Sequence, residues 1–198
     1  QPHRDQRQRP PRHQGDLHYG NFRWLYEDDV VTDLNAVEFV LEVLVHILLR
    51  AADRLSDEIK RAIFDSMRLA FQEGDHLHVH WTYTNIYLLD VANSILGGEI
   101  LDDERIRERG LRRLRQWAER TRASGAPHEF NSPTYSAVQI TALAAIAQLS
   151  QDAEATAVAL EMEYLLWRHV ARHFHAPTLQ LAGPHSRAYR CDVTGAPG

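Results

Sequence analysis

Stretches of this chain that are apolar on nearly every face alternate with stretches that are apolar on one face only. Residues 36–55, AVEFVLEVLVHILLRAADRL, belong to the first kind. In the following DEIKRAIFDSMRLAFQE, Ile59, Ile63, Met67 and Ala70 recur at helical spacing among charges, and Gly74 is a natural stop. The same two textures return in TNIYLLDVANSILGG and DDERIRERGLRRLRQWAERT, and again in YSAVQITALAAIAQLS and DAEATAVALEMEYLLWRHVARHF. The pattern predicts three helical hairpins of about 50 residues, each made of one buried and one amphipathic helix. It predicts an all-α fold.

Superposing the units at an offset of 50 brings Asn35 onto Asn85 and Tyr135, Asp53 onto Asp103, and Glu104 onto Glu154. Met67 falls on Trp117 and Trp167, so one large side chain is expected to wedge each hairpin from the middle of its outer helix, buried between the layers. A helical wheel gathers Ile106, Leu111, Leu114, Trp117 and Ala118 on one arc, with most of the arginines of that segment opposite, in water. Residues 135–149 have almost no polar face and are expected to be covered all round. His46, inside the first apolar helix, reads as a core histidine. Buried helices inside amphipathic ones make a double layer, either an open α-solenoid or part of an (α/α) toroid.

Before the hairpins, residues 1–18 read as a disordered basic tail, with Arg4, Arg7, Arg9 and Arg12 among Gln and Pro and nothing apolar to bury. Order is expected from about Tyr19, where Phe22, Trp24, Leu25 and Tyr26 cluster, and residues 19–198 read as one helical-repeat domain. Hydrophobic residues at 44% and charged residues at 25% are the balance of a folded soluble chain. A net charge of -5 offers no field for a phosphate backbone or an anionic membrane, so neither nucleic acid nor membrane is expected as a partner. Cys191, the single cysteine, precludes an intrachain disulfide and favours a reducing, cytoplasmic compartment, with secretion left open because a leader before Gln1 would be removed.

The chain resembles, over residues 34–189, the (α/α)-toroid scaffold of alginate-lyase-like and heparinase-like polysaccharide lyases and several glycosidases. Those toroids use five to seven hairpins. The resemblance therefore implies that this chain exposes an apolar flank and associates as a homo-oligomer, or lacks a companion segment. In such scaffolds ligands bind where the inner helices begin, because the loops converge there and helix N-termini are exposed. The corresponding loops are HLHVHWTYTN at 76–85, HEFNSPTY at 128–135 and HFHAPTLQLAGPHSRAY at 173–189.

His76, His78 and His80 alternate, so an extended segment would project all three to one side. They are weak candidate metal ligands, as are His173 and His175, with no accompanying carboxylate or cysteine motif, and no cofactor is expected. Pro133 suits a first helical turn that Ser132 caps, and Asn131 and Tyr135, four apart, stand beside it. In the lyases that the chain resembles, an Asn or Gln neutralises a substrate carboxylate while a Tyr or His takes the adjacent proton, roles that fall here to Asn131 and Tyr135. The Gly183-Pro184 turn delivers His185, Arg187 and Tyr189, with Arg187 suited to a carboxylate by its planar fork. The expected catalytic residues are thus Tyr135, His185 and Tyr189, with Asn131, Arg187, Trp81, Asn85 and Glu129 binding substrate. Glu129 with Asp192 is the alternative, a pair of glycosidase carboxylates.

These features point to a carbohydrate-active enzyme working on a polar or anionic glycan or small molecule, by proton abstraction and β-elimination or by hydrolysis. Two alternatives stand beside it: a helical-repeat protein that binds without chemistry, and a terpenoid isomerase or dehydratase on the same scaffold.

Overall fold

A computed structural model describes residues 17–25, 27–74 and 77–188 of the chain. The basic segment 1–16, Tyr26, His76, Tyr189, Cys191 and Asp192 lie outside them. The fold is all-α. Helices α1 (Ala36–Ala51), α3 (Thr84–Leu101) and α5 (Tyr135–Leu149) form an inner layer, and α2 (Asp57–Gly74), α4 (Glu104–Ser124) and α6 (Ala153–His173) an outer one. Helix α3 is central, packed against α4 of its own hairpin and against α1 and α5 on either side. A two-residue antiparallel ladder, Phe174–His175 with Gln180–Leu181, follows α6 where the sequence predicted only loop.

Each outer helix starts on a side-chain cap. Ser56 Oγ accepts from the Ile59 amide, Asp103 from Ile106 and Asp152 from Ala155. Asp53, expected to match Asp103, instead lies in a 3₁₀ turn at Ala52–Arg54. The close crossing of α3 and α4 depends on Gly110, where an added Cβ would lie 2.8 Å from Ile95 and 2.9 Å from Ser94.

Trp117 is buried at 1% exposure among Leu114, Leu143, Ile146 and Met162, as its wedge position requires. Met67 is likewise enclosed, with Leu41 and Phe71. Trp167 departs from the expectation: it is 51% exposed, its indole donating to Glu163. The caps Asp103 and Asp152 stand 49 residues apart rather than 50, which moves the inward position of α6 to Leu166 and turns Trp167 to solvent.

Only α3 is covered all round, with every residue from Thr84 to Gly98 buried. Helix α5 leaves Ala137, Thr141 and Gln148 exposed, and α1 leaves Val43 and Leu49 exposed, because each flanks α3 on one side and, among the described residues, meets no further hairpin on the other. The flank of α5 is thus mostly polar, whereas that of α1 carries two exposed aliphatic side chains beside exposed Arg50. His46 lies on this flank, half-buried, rather than in the core, and burial and Arg50 hold its pKa down. At the N-terminal edge His18, read with the tail, is anchored through Nδ1 to Glu73, and Trp24 rests on Phe39 and donates to Asp33.

Candidate functional site

The N-termini of the inner helices open to one end of the molecule, and their exposed N–H groups attract carboxylate. At the mouth of α3 that carboxylate is Glu129, 4% exposed. Its Oε2 accepts from both the backbone and the side-chain amide of Asn85, each at 2.8 Å. Its Oε1 meets Arg187 Nη1 at 2.6 Å. The guanidinium of Arg187 lies between two rings, 4.3 Å from the Tyr135 centroid and 5.4 Å from that of Tyr83. Tyr83 Oη in turn accepts from the Asn35 side chain. Asn35, Tyr83 and Tyr135, at the starts of α1, α3 and α5, therefore form one continuous rim.

Asn131, at a left-handed φ of 48°, donates from its amide to the carbonyls of Ala182 and Pro184. Ser132 donates to the Arg187 carbonyl and accepts from the Tyr135 amide, so it caps α5 as expected while also holding the incoming loop. His185 Nδ1 pairs with the Asn131 carbonyl, which leaves Nε2 as its second ring nitrogen. The two segments singled out in the sequence thus converge, residues 182–188 lying as a strap over the N-terminus of α5. Asn131 thus spends its side-chain amide on that strap, and Arg187 ties the strap to Glu129, whose other oxygen serves Asn85. Trp81 sits to one side, under Arg120 at 5.2 Å and edge-on to His128.

At the Asn35 end of the rim is a cleft of about 200 Å³ lined by Leu34, Asn35, Glu38, Leu77, His78, Val79 and Ile86. Glu38 is 3% exposed, and its Oε2 and backbone carbonyl accept from the Asn93 amide. Burial pushes its pKa up to about 8; the Asp90 charge adds to the rise, and the Asn93 bond with Arg109 and Arg113 opposes it. Asp90, also buried, is clamped by Arg109 at 2.7 Å on one oxygen and Arg113 at 2.7 Å on the other. Arg109 and Arg113 of α4 therefore turn inward, although the wheel sets most of that segment's arginines in water. The signal was present in the sequence: Glu38 and Asp90 are ionisable residues in segments otherwise apolar, and such residues require a partner or a proton.

In the 77–80 segment the residues alternate as the pattern suggested, His78 and His80 exposed and Leu77 and Val79 half-buried. His80 Nδ1 pairs with Thr82, His173 Nδ1 with the His169 carbonyl and His175 Nδ1 with Thr178. Among the described residues no three His, Cys, Asp or Glu side chains are grouped as metal ligands would be. Nor, among them, is any helix long and apolar enough to cross a membrane.

Residues 15–196 match the profile of the family described as a domain of unknown function, DUF8769, which spans nearly the whole chain, and the protein belongs to that family. No curated protein and no solved structure matches it.

Proposed function

We propose that the protein is an enzyme that moves a proton on a polar ring substrate of carbohydrate type, held in the cleft between the start of α1 and the 77–83 segment. The observation that carries this reading is Glu38: a carboxyl group kept neutral to about pH 8, lining the cleft beside Asn35 and His78. A carboxylic acid that holds its proton at neutral pH is poised as a general acid. In an elimination or a hydrolysis it gives that proton to the leaving oxygen, while the imidazole of His78 takes one from the substrate carbon or from water. Leu34, Leu77, Val79 and Ile86 supply the apolar wall against which the C–H face of a ring packs. Arg187, Tyr135 and Asn131 then act as positioning residues, fixing the strap against the rim that carries Asn35.

The test is a screen on uronate-containing polysaccharides, following absorbance of the unsaturated product, and on neutral glycans, following reducing ends. Glu38→Gln keeps the side-chain shape and removes the acid, so it is expected to lower turnover by roughly 10²-fold or more with the fold retained. Turnover unchanged by that substitution overturns the reading. A second reading, a helical-repeat protein that binds without turnover, is favoured by the mutual satisfaction of Glu129, Arg187 and Asn131; glycan binding with no product on any substrate supports it.

A further inference from the structure

The face of α6 turned away from the core is apolar. Ala153, Ala157, Leu160, Tyr164, Trp167 and Ala171 are all exposed, and Phe174 continues their line just past the helix. Their spacing alternates four and three residues without a break, the repeat of a two-helix seam rather than of a solvated surface. The large members are well out of the core, with Leu160 at 53%, Tyr164 at 67% and Trp167 at 51% exposure. They are also held in place: Glu163 fixes the Trp167 indole, and Arg168 lies over the Tyr164 ring. On the opposite face Ala155, Ala159, Met162 and Leu166 already bury α6 against its own chain, so this seam is not needed for the hairpin.

We propose that this stripe is the interface with a second copy of the chain, α6 pairing antiparallel with α6 across a two-fold axis near Met162. Side-chain size along the helix argues for both the occupant and its direction, and the charges at the two helix ends agree with it. With the axis at that point, Leu160 of one copy meets Tyr164 of the second, Ala157 meets Trp167, and Ala153 meets Ala171. Each large ring opposite an aliphatic group is the alternation that close helix packing requires. The helix reads Glu154, Glu161 and Glu163 in its first half and Arg168 and Arg172 in its second. In this register Arg172 of one copy is level with Asp152 of the second and Arg168 lies within a turn of Glu154, while Glu161 meets Glu163 beside the axis; parallel pairing instead sets like against like along the whole helix and Trp167 against Trp167. Glu154 already engages Arg115 of α4, so Arg168 of the second copy extends an existing ion pair, and the carboxylates that meet at the axis are already engaged, Glu161 by Arg122 and Glu163 by the Trp167 indole. The helix is roughly 31 Å long at 1.5 Å per residue. Covering it on both copies removes on the order of 1,000 Å² of surface, the lower bound for a specific contact, so a dimer dissociating in the micromolar range is expected.

The proposal is tested on the full chain by sedimentation equilibrium from about 1 to about 200 µM, a range that brackets micromolar dissociation. The wild-type mass is expected to rise from 22.7 kDa towards twice that value. Leu160→Glu with Tyr164→Glu is expected to weaken association by at least about 100-fold while circular dichroism and the melting curve stay unchanged, both sites being solvent-facing in the monomer. Direction is read by disulfide formation in a Cys191→Ser background. Ala153→Cys mixed with Ala171→Cys is expected to cross-link, and neither is expected to cross-link with itself. A wild-type chain that stays monomeric throughout, or a dimer indifferent to the double substitution, overturns the interface. Self-linking of each cysteine variant overturns the antiparallel arrangement. Partition of a monomeric chain onto phosphatidylcholine vesicles, lost in the double variant, assigns the stripe to a lipid surface instead.

Discussion

Arg187 reaches back 58 residues to Glu129, and the pair stands on the N-terminus of the central helix. One carboxylate therefore caps α3 through Asn85 and anchors the strap through Arg187. Glu129→Ala leaves both sets of donors without their acceptor and is expected to cost about 1–3 kcal/mol, the lower end reflecting the partial exposure of Arg187. Urea unfolding measures the loss. Faster exchange of the Asn85 amide hydrogen distinguishes loss of the cap from general loosening.

The raised pKa of Glu38 has a definite sign in stability. Between the ordinary value of 4.5 and about 8 the native chain holds a proton that the unfolded chain has released. The contribution is therefore fully present below the lower value and is lost as pH rises through the window, at about 1.4 kcal/mol per pH unit. Glu38→Gln should remove this slope, so the variant gains on the wild type as pH rises from about 5 to about 8, by several kcal/mol in all. Parallel urea midpoints for the two proteins across that range indicate an exposed, ordinary Glu38.

Asp90, the second buried acid of this cluster, is held between Arg109 and Arg113. Asp90→Asn keeps the volume but strands two partly buried guanidinium groups, and a loss of about 3–5 kcal/mol is expected. Asp90→Asn combined with Arg109→Met and Arg113→Met should recover much of it, since apolar replacement of a buried charge cluster is often tolerated. Thermal melts of the single and triple variants decide this.

Trp117 and Trp167 should respond in opposite ways to the same substitution. Trp117→Ala empties the centre of the α3–α6 core and is expected to cost about 3–5 kcal/mol. Trp167→Ala, measured in dilute solution where the chain is monomeric, is expected to stay within about 0.5 kcal/mol of wild type. Equal losses at the two positions contradict the burial described above.

The hairpins and their order were legible because helical periodicity is local, whereas the outer-helix caps were not, Ser56 taking the place that Asp53 holds in the repeat. The starts of α1, α3 and α5 at Ala36, Thr84 and Tyr135 follow the repeat read from texture alone. Coverage was not legible, since whether α5 is enclosed depends on its neighbours, and Ala137 and Thr141 face outward for want of one. The one-residue slip that exposes Trp167 is likewise invisible to a fixed offset. At the mouth, the convergence of Tyr135 with the 183–188 loop was anticipated, and its terms were not. Asn131 and Arg187 were read as open donors, but a donor near a backbone carbonyl or a buried carboxylate is satisfied by it first. Glu38 carries no motif, being one of two acids in a mainly apolar helix, although burial makes it the most perturbed carboxyl described.

Helix α3 carries Asn85, Asp90 and Asn93 where an ordinary core helix would be aliphatic, and each is matched to a group on a different neighbour: Glu129 ahead of α5, Arg109 and Arg113 on α4, Glu38 on α1. A greasy rod can slide by a turn and remain greasy. This one has a single seat, because a shift of one turn along α1 would strand Asn93 and Glu38 together. The three hairpins share a silhouette and are not interchangeable parts. Exchanging the middle unit for a copy of either end, which a uniform repeat array would tolerate, would here remove the keys from the lock.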